Sequence, residues 1–198
     1  MRFTLSTIAL LIALLSGSVM AQDPHSPAKV QDVTTTSKEF KSVEGRFTVL
    51  FPGTPTLQET TANTAIGPLK THIAILETAS SVYYVSYTDL PAGLETPAEI
   101  KAGLDSSRDQ AVANGNRLIV ENDVTIAGVL GRELLMEKNG LIMRARFFYL
   151  KQRLYQLIIG APAVLVFRDG KPSSNPANRT ELHETTSKTF FDSFKLTQ

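Results

Sequence analysis

The residues best placed to do chemistry are four charges around one predicted hairpin: Glu133, Glu137, Arg144 and Arg146. Asn139-Gly140 lies between two β-rich apolar runs, and both residue types tolerate the positive φ that a type I′ turn demands. A two-residue loop there sets Glu133 opposite Arg146, Leu135 opposite Arg144 and Glu137 opposite Ile142, with Glu137 diagonal to Arg144. The four charges then share one face, and Leu134, Met136, Met143, Ala145 and Phe147 share the other. Two chemistries fit this pattern. One is a cross-strand ion-pair ladder that sets register and contributes roughly 0.2–1 kcal/mol per pair. The other is an anion or carboxylate site, because arginine presents a planar fork to such groups. The second needs an arginine left unpaired beside a cleft.

Tyrosine supplies the other candidate. Tyr83, Tyr84, Tyr87, Tyr149 and Tyr155 all fall on predicted strands. They suit either the lining of a pocket for an apolar or aromatic ligand, or core packing with hydroxyls at the rim. Tyr87 and Tyr155 join the four charges as candidate ligand-binding residues. His25, His72 and His183 fall in a linker, a strand and a helix, without the close spacing of a metal site. No nucleophile elbow, glycine-rich phosphate loop or metalloprotease helix is present. No catalytic residue, metal or cofactor is therefore expected. A hydrolase using Glu133 or Asp89 as base is the weakest alternative. Zero cysteines exclude disulfides, thiolate metal sites and thiol catalysis.

The elements that must hold these residues read as strands with few helices. Phe40–Val43 and Arg46–Phe51 flank a turn at Glu44-Gly45, and Phe47, Val49 and Phe51 share a face. Thr56–Thr64 reads as an exposed edge strand. Strands follow at Pro68–Thr78, Val82–Thr88, Arg117–Ile126 and Val129–Glu137, and then the Asn139-Gly140 meander. Thr96, Pro97 and Glu99 begin a helix with a capping box. Its buried face is expected to carry Ile100, Leu104, Ala111 and Val112, and Asn114-Gly115 ends it. Phe167–Ala177 reads as a loop. Asn178 is placed to cap a last helix running through Phe190 and Phe194. Asn178-Arg179-Thr180 fits a glycosylation acceptor in a host with that machinery. With no β-α-β alternation, the expected class is α+β, a mainly antiparallel sheet with a helix on each face.

The N-terminus reads as an export signal: Met1-Arg2, an apolar run from Leu5 to Leu15, and Val19-Met20-Ala21, with cleavage after Ala21. Residues 22–38 form a polar, proline-containing linker and 39–198 a single domain. The chain carries 20 basic and 19 acidic residues, and loss of Arg2 with the signal balances them. A neutral chain gives no electrostatic reason to expect nucleic acid. No membrane-integral segment is expected after cleavage.

Several local signals together resemble a known group. They are Phe47–Pro55, the strand ending Tyr87-Thr88-Asp89 with one helix after it, Gly128-Val129-Leu130-Gly131-Arg132-Glu133, Arg153-Leu154-Tyr155-Gln156-Leu157 and Phe191-Asp192-Ser193-Phe194. Over Phe40–Leu196 the chain resembles exported bacterial proteins of unknown function and, more remotely, the PsbP-like (Mog1/PsbP/DcrB) group. The resemblance implies an α/β/α sandwich around an antiparallel sheet. It also implies a non-catalytic binding or accessory role through protein contact in the cell envelope. The alternative is a carrier of a small apolar or anionic ligand. No functional residue carries over from the group.

Overall fold

The computed structural model describes residues 37–64, 67–91, 96–126, 128–162, 166–168, 171–173 and 187–197. The expected signal, most of the expected linker, His25, His183, the expected Asn178 cap and the expected glycosylation acceptor lie outside them. Seven antiparallel strands form the main sheet: β3 (Thr56–Thr64), β4 (Gly67–Glu77), β5 (Val82–Asp89), β6 (Arg117–Ile126), β7 (Val129–Lys138), β8 (Leu141–Leu150) and β9 (Arg153–Pro162), in the order β3-β4-β5-β9-β8-β7-β6. The β7-β8 turn has φ 50° at Asn139 and 76° at Gly140, as a type I′ turn requires. The register follows from that turn: Glu133 faces Arg146, Leu135 faces Arg144 and Glu137 faces Ile142.

Helix α1 (Pro97–Ala113) covers one face of this sheet. The Thr96 amide donates to Glu99 Oε2 at 2.9 Å, and the Glu99 amide donates to Thr96 Oγ1 at 3.2 Å, which completes the capping box. The side of α1 against the sheet is small-residued: Gly103, Leu104, Ser107 and Ala111 are buried. The helix comes close enough there for Ser107 Oγ to lie 3.0 Å from the Tyr149 hydroxyl, which donates to the Gly103 carbonyl at 3.3 Å. Burial in this contact pushes the Tyr149 phenol up to about 12. Val112, expected on the buried side, is exposed because the sheet contact is centred on Leu104 and Ala111.

A buried arginine fixes α1 laterally. Arg132 is 4 % exposed, donates to Asp105 of α1 at 3.0 Å and Asp123 of β6 at 2.8 Å, and pairs with Glu121. It sits on the face that Leu134 and Met136 give to the core.

The other face departs from the expected α/β/α sandwich. A three-stranded sheet covers it, β1 (Lys38–Ser42), β2 (Phe47–Phe51) and β12 (Lys195–Leu196) in the order β1-β2-β12, together with a helical segment at 187–193. The fold is thus α+β but richer in strand than a helix on each face would give. Phe47, Val49 and Phe51 pack with Val85, Phe148, Tyr155, Leu157, Phe190, Phe191 and Phe194 in one core. The last helix expected through Phe190 and Phe194 is present as the segment at 187–193. Just beyond it Lys195 and Leu196 pair with Thr48 and Phe47, satisfying the open side of β2. At the expected loop over 167–177, β10 (Val166–Arg168) pairs antiparallel with β11 (Lys171–Ser173).

Candidate functional site

The predicted charge cluster assembles, with three of its four members together. Glu133 accepts from Arg144 Nη1 at 2.8 Å and from Arg146 Nε at 2.6 Å. Arg146 also lies 3.8 Å from Asp192 and stacks 4.6 Å from the Phe191 ring centroid. Glu133 and Arg144 are each 8 % exposed, and residues of the helical segment at 187–193 meet Arg146. Glu137 stands apart, paired with Arg117 of β6. The anion-site reading needed an unpaired arginine beside a cleft. Here both arginines hold Glu133, so the ladder describes the cluster. Its chemistry is to neutralise a buried carboxylate and set strand register.

Tyr87 and Tyr155 belong elsewhere on the same face. The register aligns Glu59, His72, Tyr87, Tyr155 and Phe148 as one row across β3, β4, β5, β9 and β8. The rings stack along it. His72 and Tyr87 lie 4.6 Å apart at 8°, and Tyr155 and Phe148 lie 4.9 Å apart at 10°. Arg153 reaches back over Tyr87 at 4.4 Å while its fork holds Asp89 at 2.6 and 2.9 Å. At the outer end Glu59 meets His72 Nδ1 at 2.8 Å and Lys70 at 2.6 Å.

This row anchors the β1-β2 turn. The buried Tyr155 hydroxyl donates to the Gly45 carbonyl at 2.8 Å, and Arg153 Nη1 donates to the Glu44 carbonyl at 2.7 Å. The Tyr87 hydroxyl points at the Glu44 carboxylate at 3.4 Å. Gly45 fits between Phe47 and Ser42, where a Cβ would come within 2.6 Å of each. Arg46 turns the chain with φ 54°.

Between this turn and β3-β4 runs a groove of about 610 Å³. Its floor is Tyr87, His72 and Ala74, and its walls include Phe40, Val43, Glu44, Leu57 and Glu59. Val43 is 76 % exposed and Leu57 66 %, two large apolar side chains held in water on opposite walls. The electrostatics are those of a fixed scaffold. Loss of water and the nearby Glu44 carboxylate raise the Tyr87 phenol, and burial raises Tyr155. Burial alone would lower the Arg153 guanidinium, but Asp89 and Tyr155 together outweigh it and the net shift is upward. The hydrogen bond from Lys70 lowers Glu59. Sequence reasoning placed Tyr87 and Tyr155 but missed Val43, Leu57, His72 and Glu44 as their companions. The period-two pattern on each strand could have linked His72 to Tyr87, but the turn that forms the far wall comes from another sheet. Among the described residues no group of histidine and carboxylate side chains is arranged to hold a metal ion.

No protein-family model matches the chain, and no curated protein matches it. Among solved structures, it is similar to the solution structure of cyanobacterial PsbP (CyanoP) from Synechocystis sp. PCC 6803. That match has a TM-score of 0.49 and 10% identity over 88% of this chain and 98% of that one. It is also similar to a protein of unknown function, PA94 from Pseudomonas aeruginosa, titled a putative regulator. There the TM-score is 0.36 and the identity 10%, over 77% of this chain and 91% of that one. Superpositions this loose establish neither a shared site nor a shared role.

Proposed function

We propose that the protein is a non-catalytic binding or accessory protein that contacts a protein partner through the groove beside the β1-β2 turn. The observation that carries this reading is the pair Val43 and Leu57, 76 % and 66 % exposed on the two walls of one preformed groove. Holding such side chains in water costs roughly 1.5–3 kcal/mol each relative to burial, a free energy that a partner recovers on docking. The polar groups around them are engaged in shaping the groove: Arg153 with Asp89 and Glu44, Tyr155 with Gly45, Glu59 with Lys70 and His72.

The site of action in this reading is the cell envelope, after export by the Met1–Ala21 signal. Among the described residues no helix is long and apolar enough to cross a membrane. A second reading, a carrier of a small apolar ligand, draws on the groove volume of about 610 Å³, a size that suits a small molecule. The Glu44 and Glu59 carboxylates on its walls disfavour the anionic ligand considered from sequence.

Paired capture tests the reading. Immobilised wild type and the double variant Val43→Glu/Leu57→Glu are exposed to the same envelope extract, with melting temperatures compared beforehand. A protein retained by the wild type and lost by the equally stable variant supports the reading. Identical capture profiles refute it. A thermal-shift screen of apolar small molecules separates the carrier reading, because a ligand raises the wild-type melting temperature by mass action.

A further inference from the structure

The two edges of the main sheet are built differently. Strand β6 carries the devices that prevent edge pairing: a bulge between Leu118 and Val120, and charges at Arg117, Glu121 and Asp123. The small-sheet edge β1 is five residues long and carries Lys38 and Lys41. Strand β3 has none of this protection. Its nine residues, Thr-Leu-Gln-Glu-Thr-Thr-Ala-Asn-Thr, pair with β4 in one unbroken register, without bulge, proline or lysine. Its single charge, Glu59, is neutralised by Lys70 at 2.6 Å. Among the described residues no strand covers its outer side. A long, flat, threonine-rich edge of this kind is a template for another strand.

We infer that β3 pairs with β3 of a second copy of this chain, antiparallel about a two-fold axis through Thr60. Only that centring pairs all nine residues. It sets Thr60 opposite itself, Glu59 opposite Thr61, Gln58 opposite Ala62, Leu57 opposite Asn63 and Thr56 opposite Thr64. No like charges face one another, and threonine pairs mark the centre and both ends. The contact is isologous, so it closes at two copies, and the protected β6 edges leave no open side for a fibre. An antiparallel two-fold lies perpendicular to the sheet. The two grooves, each walled by Leu57 and Glu59, therefore lie on the same face of one continuous sheet.

The absence of cysteine makes the register directly readable. Light scattering of the purified chain across a concentration series is expected to reach twice the single-chain mass. Thr61→Glu places carboxylates opposite Glu59 at both symmetric positions of an exposed strand and is expected to weaken the dimer by about tenfold. Thr61→Lys places opposite charges there and is expected to hold it. Under mild oxidation Thr60→Cys is expected to give a covalent dimer, because directly opposed Cα atoms about 4.5–5.5 Å apart suit a disulfide. Asn63→Cys, which faces Leu57, is expected to give none. A single-chain mass at every concentration overturns the inference. So does a dimer that ignores both Thr61 variants and cross-links no better at Thr60 than at Asn63.

Discussion

Arg132→Met removes the guanidinium that ties α1 to β6 and β7 while keeping most of the side chain's apolar stem. Arg132 is 4 % exposed and is shared by Asp105, Glu121 and Asp123. Breaking a fully buried ion pair by removing one partner costs about 3–5 kcal/mol. Here Asp105 and Glu121 are partly exposed and Asp123 is exposed, so the orphaned carboxylates regain water and the cost falls to about 2–3 kcal/mol. In a domain of this size that lowers the melting temperature by roughly 5–10 °C.

The pH dependence carries a sign. The Lys101 hydrogen bond, and after it Arg132, hold the Asp105 carboxyl below its ordinary value. A depressed folded-state value contributes stability that is present above the unfolded value, about 3.9, and is lost as pH falls through the lower folded value. Wild type therefore loses this contribution in acid, and the variant has less of it to lose. Urea denaturation at pH 7 and at about pH 3 should show the gap between the two proteins narrowing in acid, with hydrogen exchange fastest in α1 at pH 7. A loss below about 0.5 kcal/mol at pH 7, or a gap that does not change with pH, refutes the reasoning.

Two further perturbations separate the structural cluster from the groove. Glu133→Gln leaves two arginines around a neutral amide in a site 8 % exposed, and is expected to cost about 3 kcal/mol in urea denaturation without altering capture by the groove. Tyr155→Phe removes the buried 2.8 Å bond to the Gly45 carbonyl. It is expected to cost about 1–2 kcal/mol and to speed exchange at the Gly45 amide, which Ser42 Oγ accepts at 2.9 Å.

How much of this was legible depends on the range of the contact. The Asn139-Gly140 turn and the Thr96/Glu99 capping box are signals completed within a few residues, and both stand as read. The register that follows from the turn placed Glu133 against Arg146 correctly. The helix at 187–193 on the second face was legible from its spacing, but the three-stranded sheet beside it was not, because β12 pairs with β2, far away in sequence. The groove escaped for the same reason. Tyr87 and Tyr155 could be placed on strands, but the turn carrying Val43 and Glu44 meets them through long-range contacts, Tyr87 with Glu44 and Tyr155 with Gly45, the latter separated by 110 residues. Arg132 left a local trace, an arginine in step with Leu134 and Met136 on the apolar face, and that trace has a physical cause in the three carboxylates facing it.

The groove as contact surface is tested most directly by a hydrogen-exchange footprint of the complex captured from envelope extract, compared with the chain alone. Protection confined to residues 40–44, 57–59 and 72–74, and lost with Val43→Glu/Leu57→Glu, is the predicted result. Protection that instead centres on α1 or on the Glu133, Arg144 and Arg146 cluster, with these groove segments unchanged, contradicts it.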